Sequence, residues 1–472
     1  METKQAKLRN AWRRALVLLL GSCAVGPDYE KPDAADLTPR QWRWKVAEPC
    51  DAAPKGEWWT VFNDPALDRL EAAAVASNQT LRAAAARVDA ARAAAGLARS
   101  RLFPSISLDP AYRRERTSGN PPTPIPFDIP SERIDTFSFP LDLQYEIDLW
   151  GRVRRSREAA LAEADAGVAD YRNVLLTLTA DVAVNYILLR SLDAEAALCR
   201  RAVELHADSV RVLEAQRAAG AVSEIEAARA KAELGSAEAE LAEIVRQREE
   251  AFNALALLCG SAPGSFQVPG GPMAAAAVAV PAGLPSSLLE RRPDIAAAER
   301  NLAAWNARIG VAKAAYYPAV RLTGQAGYLS AEAKSLFDAD SHVWSIAPSV
   351  SMPLFDAGRT AAEVEQAEAG YREALAGYRQ TVLAAFKEVE DALAGIALRG
   401  QEVAAQTEAL AAAARIAGLA RARHEAGAGT YLEFTDAERS RLRHERVHIR
   451  LNARRLSTGV LLVKALGGGW GP

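Results

Sequence analysis

Residues 136–150, TFSFPLDLQYEIDLW, alternate apolar and polar side chains over nearly their whole length. Phe137, Phe139, Leu141, Leu143, Tyr145, Ile147 and Leu149 fall on one side of an extended chain. Ser138, Pro140, Asp142, Gln144, Glu146 and Asp148 fall on the other. The run is long enough to cross a bilayer as a tilted strand, with one face suited to lipid and the other to water. The same alternation also suits a soluble sheet with one buried face. If the strand lies in lipid, the constraint is severe: unpaired backbone amides in hydrocarbon find no partner, so such strands exist only in closed barrels.

The rest of the chain reads as helix, and it reads the same way twice. The stretch 78–108 parallels 292–322, with Gly96 matching Gly310 and Pro104 matching Pro318. One constant offset then carries Gly151-Arg152 onto Gly358-Arg359, Gly220-Ala221 onto Gly427-Ala428, and Gly260 onto Gly467. Two halves built from one unit follow, each reading helix, strand, strand, long helix, turn, helix. Pro104 and Pro318 end the first helices, because the residue before a proline leaves the α region. First strands are expected at Ser105 to Arg113 and Ala319 to Leu329. The partner of the opening segment is VWSIAPSVSMPLF, 343–355, in the same phase. The stretch from Gly358 to Gly427 has no proline, and as one helix would span roughly 100 Å. The boundaries read 1–22 targeting segment, 23–62 extended segment, 63–260 first repeat, 261–285 Pro/Gly-rich linker, 286–467 second repeat and 468–472 flexible tail.

Four strands cannot close a barrel, since the smallest membrane barrels have about eight. Membrane strands therefore demand more than one copy; two or three copies satisfy the arithmetic equally. The 472-residue chain carries a net charge of −2, which gives no reason to expect nucleic acid as a partner. No run of about 18–20 apolar residues is read as a transmembrane helix. At the N-terminus, Lys4, Lys7, Arg9, Arg13 and Arg14 precede a short apolar run, then Leu20-Gly21-Ser22-Cys23. This is a secretory signal whose cut site resembles a bacterial lipobox. By that resemblance Cys23 would become the lipidated first residue, and Ala24, which is not Asp, favours outer-membrane sorting as in sorted lipoproteins; an ordinary signal with a chance cysteine is the alternative. Three further cysteines, Cys50, Cys199 and Cys259, are an odd number, and their spacing suggests no metal site.

Several ordered segments resemble the TolC-like outer-membrane efflux family, in its OprM/NodT-type lipoprotein branch. They are Cys23-Ala24-Val25-Gly26-Pro27-Asp28-Tyr29, Trp58-Trp59, and Phe62 to Leu67. The resemblance is sharpest at LLERRPDIAAAERNLAAWNARIGVAKAAYYPAVRLTGQAG (288–327) and MPLFDAGR (352–359). It implies a mainly α fold with a membrane β-barrel contribution. Two tandem repeats, each with two strands and long coiled helices, would close as a homotrimer with a 12-strand β-barrel and a 12-helix α-barrel. It further implies an outer-membrane exit duct without enzymatic activity or cofactor, docked through a periplasmic adaptor to an inner-membrane pump, usually of the RND class.

The helix-turn-helix tips at 217–230 and 424–439 are the natural gate and docking points. By resemblance the second carries the pore constriction, at Tyr431, Leu432 and Asp436 with Arg439 after them. Leu432 and Asp436 are one helical turn apart and share a face; pairing of Asp436 with an arginine of a neighbouring helix is the plainer alternative. Gly220, Ala221, Val222 and Ser223, with Gly427, Ala428, Gly429 and Thr430, are read as adaptor-contacting tips, while Ser223 and Thr430 also suit helix N-caps. Asp142, Glu146 and Asp148 are expected to face the barrel lumen, as cation-attracting or simply solvated groups. His444-Glu445-Arg446-Val447-His448 matches the zinc-protease pattern. No third ligand follows it, and the equivalent stretch AEAEL (237–241) lacks histidine. The alternatives to an efflux duct are the outer-membrane duct of a type I protein secretion system, a soluble periplasmic coiled-coil scaffold and, remotely, a metalloprotease.

Overall fold

The computed structural model describes residues 24–32, 37, 38, 43, 57–116, 133–271 and 291–468. The targeting segment, Cys23, Cys50, the first hairpin tip, most of the linker and residues 469–472 lie outside them. The elements in order are α1 (Pro65–Ser77), α2 (Gln79–Ser100), β1 (Ser105–Leu108), β2 (Ala111–Arg116), β3 (Arg133–Ile147), α3 (Arg152–Ala218), α4 (Glu224–Leu258), α5 (Pro293–Ala314), β4 (Ala319–Ser330), β5 (His342–Ser351), α6 (Arg359–Glu425) and α7 (Tyr431–Ala465). The halves match in length: α3 and α6 have 67 residues each, and α4 and α7 have 35 each. Alanine-rich sequence without internal proline lets each long helix propagate unbroken.

The chain divides into two compact units. One comprises Met1–Pro32, Val88–Gly167 and Ala298–Tyr378; the other comprises Asp33–Arg87, Val168–Ala297 and Arg379–Pro472.

The first unit holds an antiparallel sheet in the order β1-β3-β4-β5, with β2 also paired to β3. The expected single first strand is two ladders on one edge of β3, Ser105–Leu108 against Leu141–Gln144 and Ala111–Arg116 against Arg133–Ser138. The break falls at Asp109-Pro110, opposite Pro140. Neither proline has an N–H to donate, so the ladder cannot run through. Asp109 N still reaches the Pro140 carbonyl at 3.3 Å. The sheet is thus four strands wide, and β2 extends past the expected end at Arg113.

Register sorts the side chains by face. Phe139 pairs with Tyr328, Leu141 with Ala326, Tyr145 with Leu322 and Ile147 with Val320; Ala326 pairs in turn with Trp344, and Val320 with Val350. One face is therefore apolar across all strands, and its side chains are open: Trp344 is 70% and Val350 69% exposed. The other face carries Asp142 opposite Gln325 and Glu146 opposite Arg321.

The segment after Cys23 is clasped onto this unit. Val25 N donates to the Trp150 carbonyl (2.9 Å), and Asn306 Nδ2 donates to the Pro27 carbonyl (3.0 Å). Asp28 pairs with the buried Arg155 at 2.6 Å, and Tyr29 Oη donates to Glu299 at 2.6 Å. Gly26, at φ +109°, lies so close to Gly310 that a Cβ would collide with the Gly310 Cα. The Val-Gly-Pro-Asp-Tyr run is therefore a backbone-and-charge fit to α3 and α5. Where the strands turn into helix, Trp150 stacks on Tyr317, centroids 4.8 Å apart.

The second unit is helical. Trp58, Trp59 and Phe62 are buried in a short 3-10 turn, and Trp58 Nε1 donates to Thr179 (3.2 Å). Asp64 caps α1 and accepts from Tyr186 Oη (2.7 Å). Arg292 is buried, pairing with Asp294 (2.6 Å) and Glu388 (2.7 Å) and donating to the Ala465 carbonyl (2.9 Å). The linker begins as packed chain: Phe266 meets Phe252, and Arg190 donates to the Pro269 carbonyl. By length and composition alone one stretch of α3 is apolar enough to cross a membrane, with an 18-residue window of mean hydropathy 1.4. Its Leu178, Val182, Ala183, Ile187 and Leu189 are buried within the protein.

Candidate functional site: two helix-turn-helix tips and a polar sheet face

The turns joining α3 to α4 and α6 to α7 are built alike. Gly220 N donates to the Arg217 carbonyl and Ala221 N to that of Gln216; Gly427 N donates to His424 and Ala428 N to Arg423. This pair of bonds closes a helix around a left-handed residue. Gly220 and Gly427 have φ of +74° and +72°, where a Cβ would be strained. The next helix starts at once. Ser223 caps α4 in a full capping box with Glu226, and Thr430 caps α7 by accepting from Glu433 N at 3.2 Å. Ser223 and Thr430 therefore satisfy helix-start amides, each worth about 1 kcal/mol.

Around these like backbones the side chains diverge. At the first tip Gly220 and Ala221 are exposed, and Ile225 is 79% exposed. At the second, His424 stacks parallel on Phe434 with Tyr431 against both, and Arg421 lies over the Phe434 ring. Tyr431 Oη is 3.1 Å from Ser209 Oγ on α3.

Arg439 ties the base of this cluster. Its guanidinium reaches Asp436 at 2.7 Å and Glu233 on α4 at 2.9 Å. The carboxylate of Asp436 is thus held by an arginine of its own helix. That same arginine bridges to the neighbouring one. Leu432 is exposed. His206, Ser209, Glu233, Tyr431, Leu432, Asp436 and Arg439 line a cavity of about 260 Å³. Burial lowers the His206 imidazole below its ordinary value, so it is neutral at pH 7. Tyr431, Leu432, Asp436 and Arg439 are therefore brought together, and the tip glycines hold the turns that carry them.

The three carboxylates of the opening strand separate. Asp142 accepts from Gln325 Nε2 across the sheet (3.0 Å). Glu146 makes a two-bond pair with Arg152 (2.8 and 2.6 Å). The strand β3 ends at Ile147, so Asp148 does not extend its polar face; it accepts from Val153 N and Arg154 N (3.1 and 2.9 Å), capping α3. Asp356 does the same for α6 through Thr360 N and Oγ1, which gives the Phe-Asp-Ala-Gly-Arg run its local role. His444 meets Gln406 (3.1 Å) and His448 meets Asn452 (2.9 Å), so the two imidazoles are engaged with different neighbours. Cys199 and Cys259 are free and buried, and burial pushes the Cys259 thiol up to about 11.

Sequence reasoning missed Arg155, Arg292 and Arg152. Each lies in a quoted or adjacent motif, but its partner is distant in sequence or reached only through the turn at Gly151.

The family model for "Outer membrane efflux protein" matches residues 71–261 and 284–468. The solvent efflux pump outer membrane protein SrpC of Pseudomonas putida is 34% identical over 469 residues, covering 96% of this chain and 97% of that protein. Outer membrane protein OprJ of Pseudomonas aeruginosa is 36% identical over 461 residues, covering 96% of this chain and 95% of its own. The crystal structure of the open state of the Neisseria gonorrhoeae MtrE outer membrane channel superposes with a TM-score of 0.84 at 30% identity, covering 95% of this chain and 99% of that one.

Proposed function

This chain belongs to the outer membrane efflux protein family, and on that premise we propose that three copies close one duct for small molecules across the outer membrane. It is an outer-membrane channel component of an efflux system. Its fold is that of the TolC-like channels. The observation that carries the assembly is the sheet itself. Among the described residues it is four strands wide, apolar on one face, and ends in an open edge at β1/β2 and another at β5. Edges of that kind are not tolerated in lipid, and three copies place twelve strands in one wall.

In this reading the apolar face meets lipid, and Asp142, Glu146 and Arg321 face water inside. The pairing of Glu146 with Arg152, and its place opposite Arg321, makes the lining less acidic than the bare sequence suggests. Cys23 carries the lipid, one residue before a segment clasped at the strand-to-helix turn. The tips dock a periplasmic adaptor, which links the duct to an inner-membrane pump of the RND class. Tyr431, Leu432, Asp436 and Arg439 form the constriction. The relative crystallised in an open state supports a gate with two positions. The duct catalyses no reaction and holds no cofactor; selection and energy belong to the pump. The test is a deletion strain challenged with solvents and antibiotics. Hypersensitivity restored by the wild-type gene supports the reading, and unchanged sensitivity with a lost secreted protein would favour a protein-secretion duct.

A further inference from the structure

Each outer edge of the sheet carries a proline, and the prolines show which backbone groups the edges offer. The ladder from β4 to β5 runs unbroken, with Pro348 opposite Leu322. A proline fits an unbroken ladder only where its nitrogen points away from the partner strand. Bonding groups alternate sides along a strand. His342, Trp344, Ile346 and Val350 therefore turn their amides outward, and Pro348 is the missing donor among them. On the other edge, Asp109 N reaches the Pro140 carbonyl at 3.3 Å, so odd-numbered residues there bond inward to β3. Ile106, Leu108 and Tyr112 turn their amides outward, and Pro110 is the missing donor. The side chains follow the same count. Ile106 and Leu108 pair with Leu143 and Leu141, Tyr112 with Phe137, and Trp344 and Val350 with Ala326 and Val320. On both edges the outward-bonding residues thus lie on the apolar face, and their side chains are exposed.

We infer that β5 of one copy pairs antiparallel with the β1/β2 edge of a second copy in a single register, Pro348 opposite Pro110. A register that parts the prolines wedges a ring into the joint, and strands a carbonyl, at two separate levels. This one confines both defects to one level, where β1 and β2 are already interrupted. It lays His342–Ser351 along residues 107–116 and keeps apolar face with apolar face, so Ile346 meets Tyr112 and Val350 meets Leu108. On the polar face Ala347 meets Ala111 and Ser351 meets Ser107. Within one sheet Pro348 stands level with Tyr145 through Leu322, and Pro110 adjoins Ala111, which pairs with Ser138. Joining the prolines therefore offsets successive copies by about six residues, and such a stagger is what closes a sheet into a barrel of tilted strands. This joint presupposes the closed duct proposed above and adds how its copies are keyed together.

The test is disulfide trapping in the detergent-extracted full chain. In this register residues 111 and 347 form a non-hydrogen-bonded pair, with Cα atoms about 4.5 Å apart, a span that a disulfide bridges. They belong to opposite edges of one sheet, so a bond between them joins two chains. Ala111→Cys with Ala347→Cys should yield covalently linked chains on a denaturing gel, dissolved by reductant. It should do so at least about tenfold faster than Ala111→Cys with Ser345→Cys or with Ser349→Cys, each a two-residue slip away. Ser107→Cys with Ser351→Cys, nearly isosteric changes, reads the same register a second time should the alanine pair fail to assemble. Neither partner of a pair should cross-link alone. Faster trapping of a slipped pair overturns the register, as does no trapping by any pair in an oligomer of wild-type mass; the duct still stands in both cases. Wild type that is a single chain before oxidation sinks the duct and the joint together.

Discussion

The two helix-turn-helix tips share a backbone and differ in nearly everything attached to it. Both close on a left-handed glycine and restart on a hydroxyl cap. The first presents exposed small residues and Ile225. The second is clamped by a His424-Phe434-Tyr431 cluster and by Arg439 bridging Asp436 and Glu233. A duplicated unit keeps what the chain needs in order to reverse, including an ion pair between the two arms, Glu214 with Lys231 at the first tip and Arg421 with Glu438 at the second, while the second adds the aromatic cluster and Arg439. In the reading proposed above, that difference suits the second tip to gating as well as docking.

Three changes break or sharpen this contrast. Arg439→Ala removes one partly exposed ion pair between helices per chain, worth about 0.5 kcal/mol, so about 1.5 kcal/mol over three chains and roughly tenfold in the open-to-closed ratio. Planar-bilayer recording should show that rise, with a smaller one for Asp436→Ala and none for Ile225→Ala at the first tip. Equal behaviour at both tips would erase the distinction.

At one matched position the first half hides a charge that the second exposes. Glu195 is buried beside Arg450, whereas its counterpart Glu402 is exposed. Glu71 on α1 is fully buried, and neither of its oxygens has a hydrogen-bond partner among the described residues. Burial, with Asp68 adding to it, raises its carboxyl from 4.5 to about 9. The folded group is thus protonated where the unfolded one ionises. Its stability contribution is full below pH 4.5 and is lost as pH rises toward 9, on the order of 3 kcal/mol by pH 7. Glu71→Gln should flatten the melting temperature between those limits, and an unchanged slope would contradict a neutral Glu71.

The smallest effect tests what the tips share. Nothing lies within 4 Å of a Cβ at Gly220 or Gly427, so alanine at either meets backbone strain alone, about 1–2 kcal/mol. Equal drops in thermal stability are expected, and unequal ones would show that the turns are not equivalent.

Much of this fold was legible because its signals are local. Period-two alternation marked β3, and glycines at one offset marked both tips. Non-local facts were not legible. The break in the first strand depends on Pro110 lying beside Pro140, which only the pairing register reveals. The clasp needed Asp28 next to Arg155, and the tie at the second tip needed Glu233 next to Arg439. Glu146 and Asp148 read as a polar face because alternation assumes the strand continues. Gly151, at φ +81°, instead turns the chain so that arginines six positions on meet both acids.

The mass of the detergent-extracted particle tests the central claim most directly, because an unfinished sheet must be finished by other copies. Three chains per particle, dissociating only with loss of β-structure, is the predicted result. A stable single chain that keeps its sheet in detergent-free buffer would contradict it.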